Sequence, residues 1–276
     1  MNESIVVFGR FRFLKWALVL SVLAIIAYVW HHPLVAPNGG TWLGYTLGIL
    51  SFAIILWLMY FGIRKRTYGA GHVRLEAWLS AHVYLGLSLI VLATLHTGFK
   101  FGWNVHTLAY VLMWIVILSG IFGLYAYLRY PRLMTMNRRG VTLDNMLAQI
   151  AEVDRECRQV GMPLGDEINR SLLDASQHTS VGGGLIRQLS GQDPNCPTEA
   201  TLRRVETLAN ASQGERAAEL RQLVMLLTRK VSLLQRARRD VQLTALMKVW
   251  VFVHVPLSFA LLAALITHIV SVFFYW

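Results

Sequence analysis

Five long apolar runs restrict the fold of this sequence more than any other feature. They cover, approximately, residues 13–30, 42–63, 75–101, 105–130 and 246–276. A helix needs about 20 mostly apolar residues to cross a bilayer, and in that setting a helix satisfies all of its own backbone polar groups. The chain is only 15% charged, whereas ordinary soluble domains are about 25% charged. We therefore predict an all-α membrane protein with five transmembrane helices, and not a soluble enzyme.

These runs divide the chain into three segments. Residues 1–130 hold transmembrane helices one to four, residues 131–245 form a polar insertion, and residues 246–276 hold transmembrane helix five. The first run could also be a signal peptide, because basic residues precede it. No small-residue cleavage site follows it, so we expect a transmembrane helix there.

Lys and Arg are unevenly distributed around the apolar runs. Lys and Arg are concentrated at the N-terminus, in the loop after the second run and at the end of the fourth run. Of these two residue types, the loops 31–41 and 97–104 contain a single example, Lys100. Cytoplasmic loops of membrane proteins carry the excess of Lys and Arg. We expect a multi-pass protein of a bacterial-type inner membrane, with the N-terminus and residues 131–245 cytoplasmic and the C-terminus exterior. Because the net charge of +11 flanks membrane helices, we expect lipid and no nucleic acid as a partner.

The polar insertion has the pattern of helices. Apolar residues recur at helical spacing from Leu143 to Val160, and a Gly- and Pro-rich break follows at residues 182–197. From Leu220 to Val241 the apolar positions alternate by four and three, which is typical of a heptad seam. Ser212 and Glu215 match a capping box that predicts the start of this last helix. We expect a cytoplasmic helical hairpin or small bundle; alternatively, the seam is a docking surface that makes an oligomer.

Four histidines lie inside two of the predicted transmembrane helices. His82 and His96 are 14 residues apart in the third, and His254 and His268 are 14 residues apart in the fifth. Fourteen residues are nearly four helical turns, so each pair shares one helix face and spans about 21 Å. That distance places one histidine near each side of a hydrocarbon core of about 30 Å.

The third and fifth transmembrane helices are parallel in the predicted topology, because one helix separates them. Parallel helices with equal spacing bring His82 level with His254 and His96 level with His268. Two pairs of imidazoles stacked across the membrane suit two haem b groups, since imidazole nitrogen is an axial ligand of haem iron. We predict that the pairs 82/254 and 96/268 are the iron ligands and that neither haem binds substrate.

Two other interpretations of the histidines stay open. A proton or metal transporter also uses intramembrane histidines, but such proteins usually add intramembrane carboxylates, and here only Glu76 lies near a helix end. A haem-free membrane scaffold or signalling protein with a cytoplasmic coiled coil would explain the heptad seam. It would leave the matched histidine spacing unexplained.

Three further residues are candidates for holding the haem propionates. Arg74 lies at the expected cytoplasmic end, and Lys100 and His106 lie at the expected exterior end. The chain contains two cysteines and no CxxC motif, so we expect neither a covalently attached haem nor a cysteine-ligated iron–sulfur cluster within it.

Two helices with His-x13-His, separated by one transmembrane helix, resemble the di-haem membrane cytochromes b. This group includes the quinol-oxidising cytochrome b of bc-type complexes and the transmembrane domain of ferric reductases and NADPH oxidases. The resemblance covers residues 75–130 and 246–276, and it implies axial ligation by His82, His96, His254 and His268. The Pro-Glu-Trp-Tyr motif of quinol oxidation and a C-terminal flavin domain are both missing from the sequence. The polar insertion fits neither family.

Two stacked haems would conduct electrons across the membrane. We expect an electron-transfer subunit of an oxidoreductase complex that works between a quinone pool and a separate redox subunit. That subunit would be a c-type cytochrome, an iron–sulfur protein or a flavoprotein. An alternative is ferric reductase-like export of electrons to an exterior acceptor.

Overall fold

The computed structural model describes residues 5–34, 36–64 and 75–274 of the chain. Every regular element within these residues is helical. The α-helices are α1 Phe8–Trp30, α2 Trp42–Arg64, α3 Leu75–Thr97, α4 Val105–Arg138, α5 Leu143–Gly161, α6 Asp166–Gln177, α7 Leu185–Ser190, α8 Pro197–Ala211 and α9 Glu215–Phe274. A short 3-10 turn, Met162–Leu164, joins α5 to α6.

The predicted fold class is confirmed. Helices α1, α2, α3, α4 and α9 are long and apolar enough to cross a membrane, and α5 to α8 lie between the fourth and the fifth of them. The helix limits differ from the predicted ones at several ends. Helix α1 begins at Phe8 and not at residue 13, α3 ends at Thr97 and not at residue 101, and α4 continues beyond residue 130 to Arg138. Helix α9 is a single helix of 60 residues that begins far upstream of residue 246.

The chain forms two compact units. An apolar unit comprises Met1–Tyr125 and Trp250–Trp276, and a polar unit comprises Ala126–Val249. In the apolar unit α3 packs against both α1 and α2. Its residues Leu89 and Leu92 are almost fully buried, whereas large side chains such as Trp16 on α1 are exposed. An apolar outer surface of this kind suits contact with lipid.

The polar unit is a small helical bundle with its own core. Buried residues from α5, α6, α8 and the first part of α9 form one cluster, which includes Val153, Leu172, Val205, Leu220, Leu227 and Leu234. The last three belong to the predicted heptad seam, so this apolar stripe packs inside the chain. The exposed faces of α5 and α6 are polar, as expected for amphipathic helices at the surface of a bundle.

The predicted capping box is wrong. The Ser212 hydroxyl donates to the Leu208 carbonyl, at 2.8 Å, at the end of α8. Helix α9 begins only at Glu215, after Gly214, whose φ is +70°. The serine therefore closes the preceding helix, because glycine and not serine takes the left-handed turn between the two helices.

A buried ion pair lies inside the polar unit. The Lys230 side chain is 1% exposed, and its Nζ lies 2.6 Å from Asp154 Oδ1. The same Nζ donates to the Ala175 carbonyl at 3.0 Å. Nearby, burial raises the pKa of the Cys157 thiol to about 12, so this cysteine is a packed side chain and not a reactive thiolate.

Candidate functional site

The apolar unit brings the four membrane histidines together in two pairs. The ring centroids of His96 and His268 are 6.0 Å apart, and the ring planes are at 81°. His82 and His254 lie close enough for their charges to interact. These are the pairs expected from equal spacing on parallel helices. Their role as iron ligands stays a prediction.

The separation of His96 and His268 fits a metal ion between the two rings. A bond from a metal to an imidazole nitrogen is about 2 Å, so two rings on opposite sides of an iron have centroids roughly 6 Å apart. The observed value is 6.0 Å. The rings are thus too far apart for direct hydrogen bonding and at a suitable distance for shared ligation.

The surroundings of His96 fix the direction of its ring. Its Nδ1 lies 2.8 Å from the carbonyl oxygen of Gly44 on α2. When Nδ1 donates this hydrogen bond, the proton is on Nδ1 and the lone pair of Nε2 is free for a metal. A β-carbon at Gly48 would lie 2.7 Å from His96 Cε1, and one at Gly39 would lie 3.3 Å from it. The ring therefore fits in this position because Gly48 lacks a side chain, whereas a β-carbon at Gly39 would require only a small shift.

Gly44 and Gly48, which contact His96, were not among the predicted site residues. The signal that could have found them is the Gly-x-x-x-Gly spacing of Gly44 and Gly48, which allows close approach to one face of a membrane helix. Nothing local in the sequence connects that spacing to a histidine about 50 residues away.

Replacing Gly48 by alanine tests this contact. Because the new β-carbon would lie 2.7 Å from His96 Cε1, the ring must turn and lose its hydrogen bond to Gly44. Loss of such a support typically weakens metal binding by about 10- to 100-fold. We expect Gly48→Ala to weaken haem binding at the 96/268 pair only, measured as haem per chain across a titration.

The matched control lies on the same helix. Among the residues that the structure describes, none outside the local turn of α2 comes within 4 Å of a β-carbon placed at Gly62, so Gly62→Ala should bind haem like the unmodified chain. Retention of the second haem in Gly48→Ala shows that the variant is folded. Wild-type affinity at both sites in Gly48→Ala would contradict the predicted role of this contact.

His254 is oriented by a second kind of partner. Its Nδ1 lies 2.7 Å from the Ser119 hydroxyl on α4, and that hydroxyl donates to the Val116 carbonyl, also at 2.7 Å. Since the serine proton is engaged, the hydroxyl oxygen accepts from Nδ1–H of His254. The Trp250 indole N–H donates to the Ser119 carbonyl at 2.7 Å and holds the same residue in place. Sequence reasoning found neither Ser119 nor Trp250.

His82 lies beside an aromatic side chain of α2. This side chain is Phe61, and the centroids of the two rings are 5.2 Å apart. The Leu58 backbone is near the ring, but Nδ1 is buried and makes no hydrogen bond of ordinary geometry within the part of the chain that the structure describes. A buried imidazole nitrogen without a partner is costly, so a hydrogen-bond partner or a metal at Nδ1 itself would be stabilising.

His268 contacts a third histidine. The Nδ1 atoms of His268 and of His106 on α4 are in contact, and the ring centroids are 4.4 Å apart with the planes at 89°. His106 had been predicted to hold a haem propionate, and the structure places it against a predicted iron ligand. Of the other two propionate candidates, Lys100 is exposed in the loop after α3. Arg74 lies outside the described residues.

Among residues 5–34, 36–64 and 75–274, no group of three or more His, Cys, Asp or Glu side chains has the geometry of a metal site. A haem needs only two protein ligands, because the porphyrin supplies the other four. The chain matches no protein-family model, no curated protein and no solved structure.

Proposed function

We propose that this chain is a transmembrane electron-transfer protein that holds two haem b groups. His82 and His254 would bind one, and His96 and His268 the other. The observation that supports this most is the 6.0 Å separation of the His96 and His268 rings, combined with the equal spacing of the two histidine pairs.

The protein's own residues would hold and orient the groups. The Gly44 carbonyl and the Ser119 hydroxyl accept Nδ1–H bonds from His96 and His254, which leaves the Nε2 lone pair of each ring free to bind iron. Haem would supply a one-electron iron couple, and its ligation by two histidines would leave no iron position for substrate. The apolar side chains around α3 exclude water and keep the surroundings at low dielectric.

The basic loops support the orientation and location that we propose. The insertion of residues 131–245 and the N-terminus would be cytoplasmic, in a bacterial-type inner membrane. We propose that electrons pass between a quinone pool and a separate redox subunit.

The visible spectrum of the purified full-length chain tests the proposal. The chain is expressed with haem supplied and purified in detergent, and its spectrum is recorded oxidised and then reduced with dithionite. We expect about two b-type haems per chain and the sharp reduced bands of six-coordinate low-spin iron. A chain without haem under these conditions would contradict the proposed function. Reduction of the haems by a soluble quinol then tests the quinone as partner.

A further inference from the structure

The structure places His106, a predicted site residue, in direct contact with His268, a predicted iron ligand on another helix. It lies at the start of α4 and is exposed, whereas His268 on α9 is half-buried. The two Nδ1 atoms are in contact, and the ring centroids are 4.4 Å apart.

The distances between ring centroids indicate different roles for His106 and His96, the two histidines next to His268. Two imidazoles that share a metal have centroids roughly 6 Å apart, so the observed 4.4 Å is too short for a metal between His106 and His268. The contact between the two Nδ1 atoms instead indicates a direct hydrogen bond between the rings. The 6.0 Å from His96 to His268 suits a shared metal. His106 is therefore a neighbour of the ligand and not an alternative ligand.

The direction of the hydrogen bond follows from the ligand role of His268. If its Nε2 binds iron, the proton of the neutral ring is on Nδ1, and this N–H donates to Nδ1 of His106. His106 is then neutral, with its own proton on Nε2. A ligand imidazole that donates its second N–H to an acceptor becomes more basic and binds the metal more strongly.

We propose that His106 is a positioning residue that orients His268 and increases electron donation from its ring, and so lowers the reduction potential of the haem at the 96/268 pair. This proposal rests on the proposed function. It assigns each site its own partner, because His254 donates to a hydroxyl, Ser119, at 2.7 Å, and His268 donates to an imidazole. The two haems would thus be tuned by separate residues.

The test is redox titration of the full-length chain carrying both haems, with low-temperature EPR of the oxidised form. His106→Leu removes the acceptor. We expect the midpoint potential of one haem to rise by about 59 mV, which corresponds to a tenfold change in the preference for ferric over ferrous iron. The EPR signal of that haem should shift with it, and the other haem should be unchanged. His106→Gln restores an acceptor and should lie closer to the unmodified chain.

Ser119→Ala is the matched comparison, because it removes the acceptor of His254 instead. It should shift the potential of the haem that His106→Leu leaves unchanged. Selective loss of one haem in His106→Leu, with retention in His106→Gln, also supports the proposal. If His106→Leu binds both haems with unaltered potentials and EPR signals, the proposal is overturned while the proposed function stands. A chain that binds no haem overturns the proposed function itself.

Discussion

Replacing His82 or His254 by alanine should remove the same haem and leave the other in place. Each substitution takes away one of the two axial ligands at one pair. His96→Ala and His268→Ala should remove the second haem in the same way. The measurement is haem per chain, which should fall from about two to about one, together with the reduced-minus-oxidised spectrum of each variant.

The spectra decide the pairing. Those of His82→Ala and His254→Ala should superimpose on each other and differ from the spectra of the other two variants. His178→Ala is the control, because His178 is an exposed histidine of the polar unit whose ring contacts Asp174. It should keep both haems. If His82→Ala and His254→Ala lost different haems, the pairing 82/254 and 96/268 would be refuted.

Replacing Asp154 by alanine should strongly destabilise the polar unit. Lys230 is 1% exposed and lies 2.6 Å from Asp154 Oδ1, so the variant leaves a buried ammonium group that keeps its hydrogen bond to the Ala175 carbonyl but has lost its counter-charge. Breaking a buried pair in this way costs about 3–5 kcal/mol. For a unit of this size, that loss should lower the melting temperature by roughly 10 °C or more. Thermal unfolding of the full-length chain in detergent, followed by circular dichroism, measures it.

Two further variants isolate the cause. Asp174→Ala removes an exposed carboxylate whose partner His178 is also exposed, and it should change the free energy of unfolding by less than about 0.5 kcal/mol. Lys230→Met combined with Asp154→Ala removes both charges and should recover most of the loss, because no unpaired buried charge remains. Equal melting temperatures for Asp154→Ala and Asp174→Ala would contradict the buried role of this pair.

The all-helical fold was predictable because membrane helices are specified by local composition. Each apolar run is long enough to cross a bilayer, and within a bilayer the backbone satisfies its hydrogen bonds in a helix without distant partners. The polar unit was less predictable. Its heptad spacing indicates an apolar stripe but not what covers it, and in the structure Leu220, Leu227 and Leu234 are buried against α5, α6 and α8.

The candidate site was also predictable only in part. The periodicity of α-helices places His82 and His96 on one face of α3, and His254 and His268 on one face of α9, so the sequence alone identified four candidate ligands. The partners of these histidines come from other helices. Gly44, Ser119 and His106 lie 52, 135 and 162 residues from the histidines that they contact. Local periodicity contains no information about contacts over such separations. Only the tertiary structure decided them, by placing α2 beside α3 and α4 beside α9.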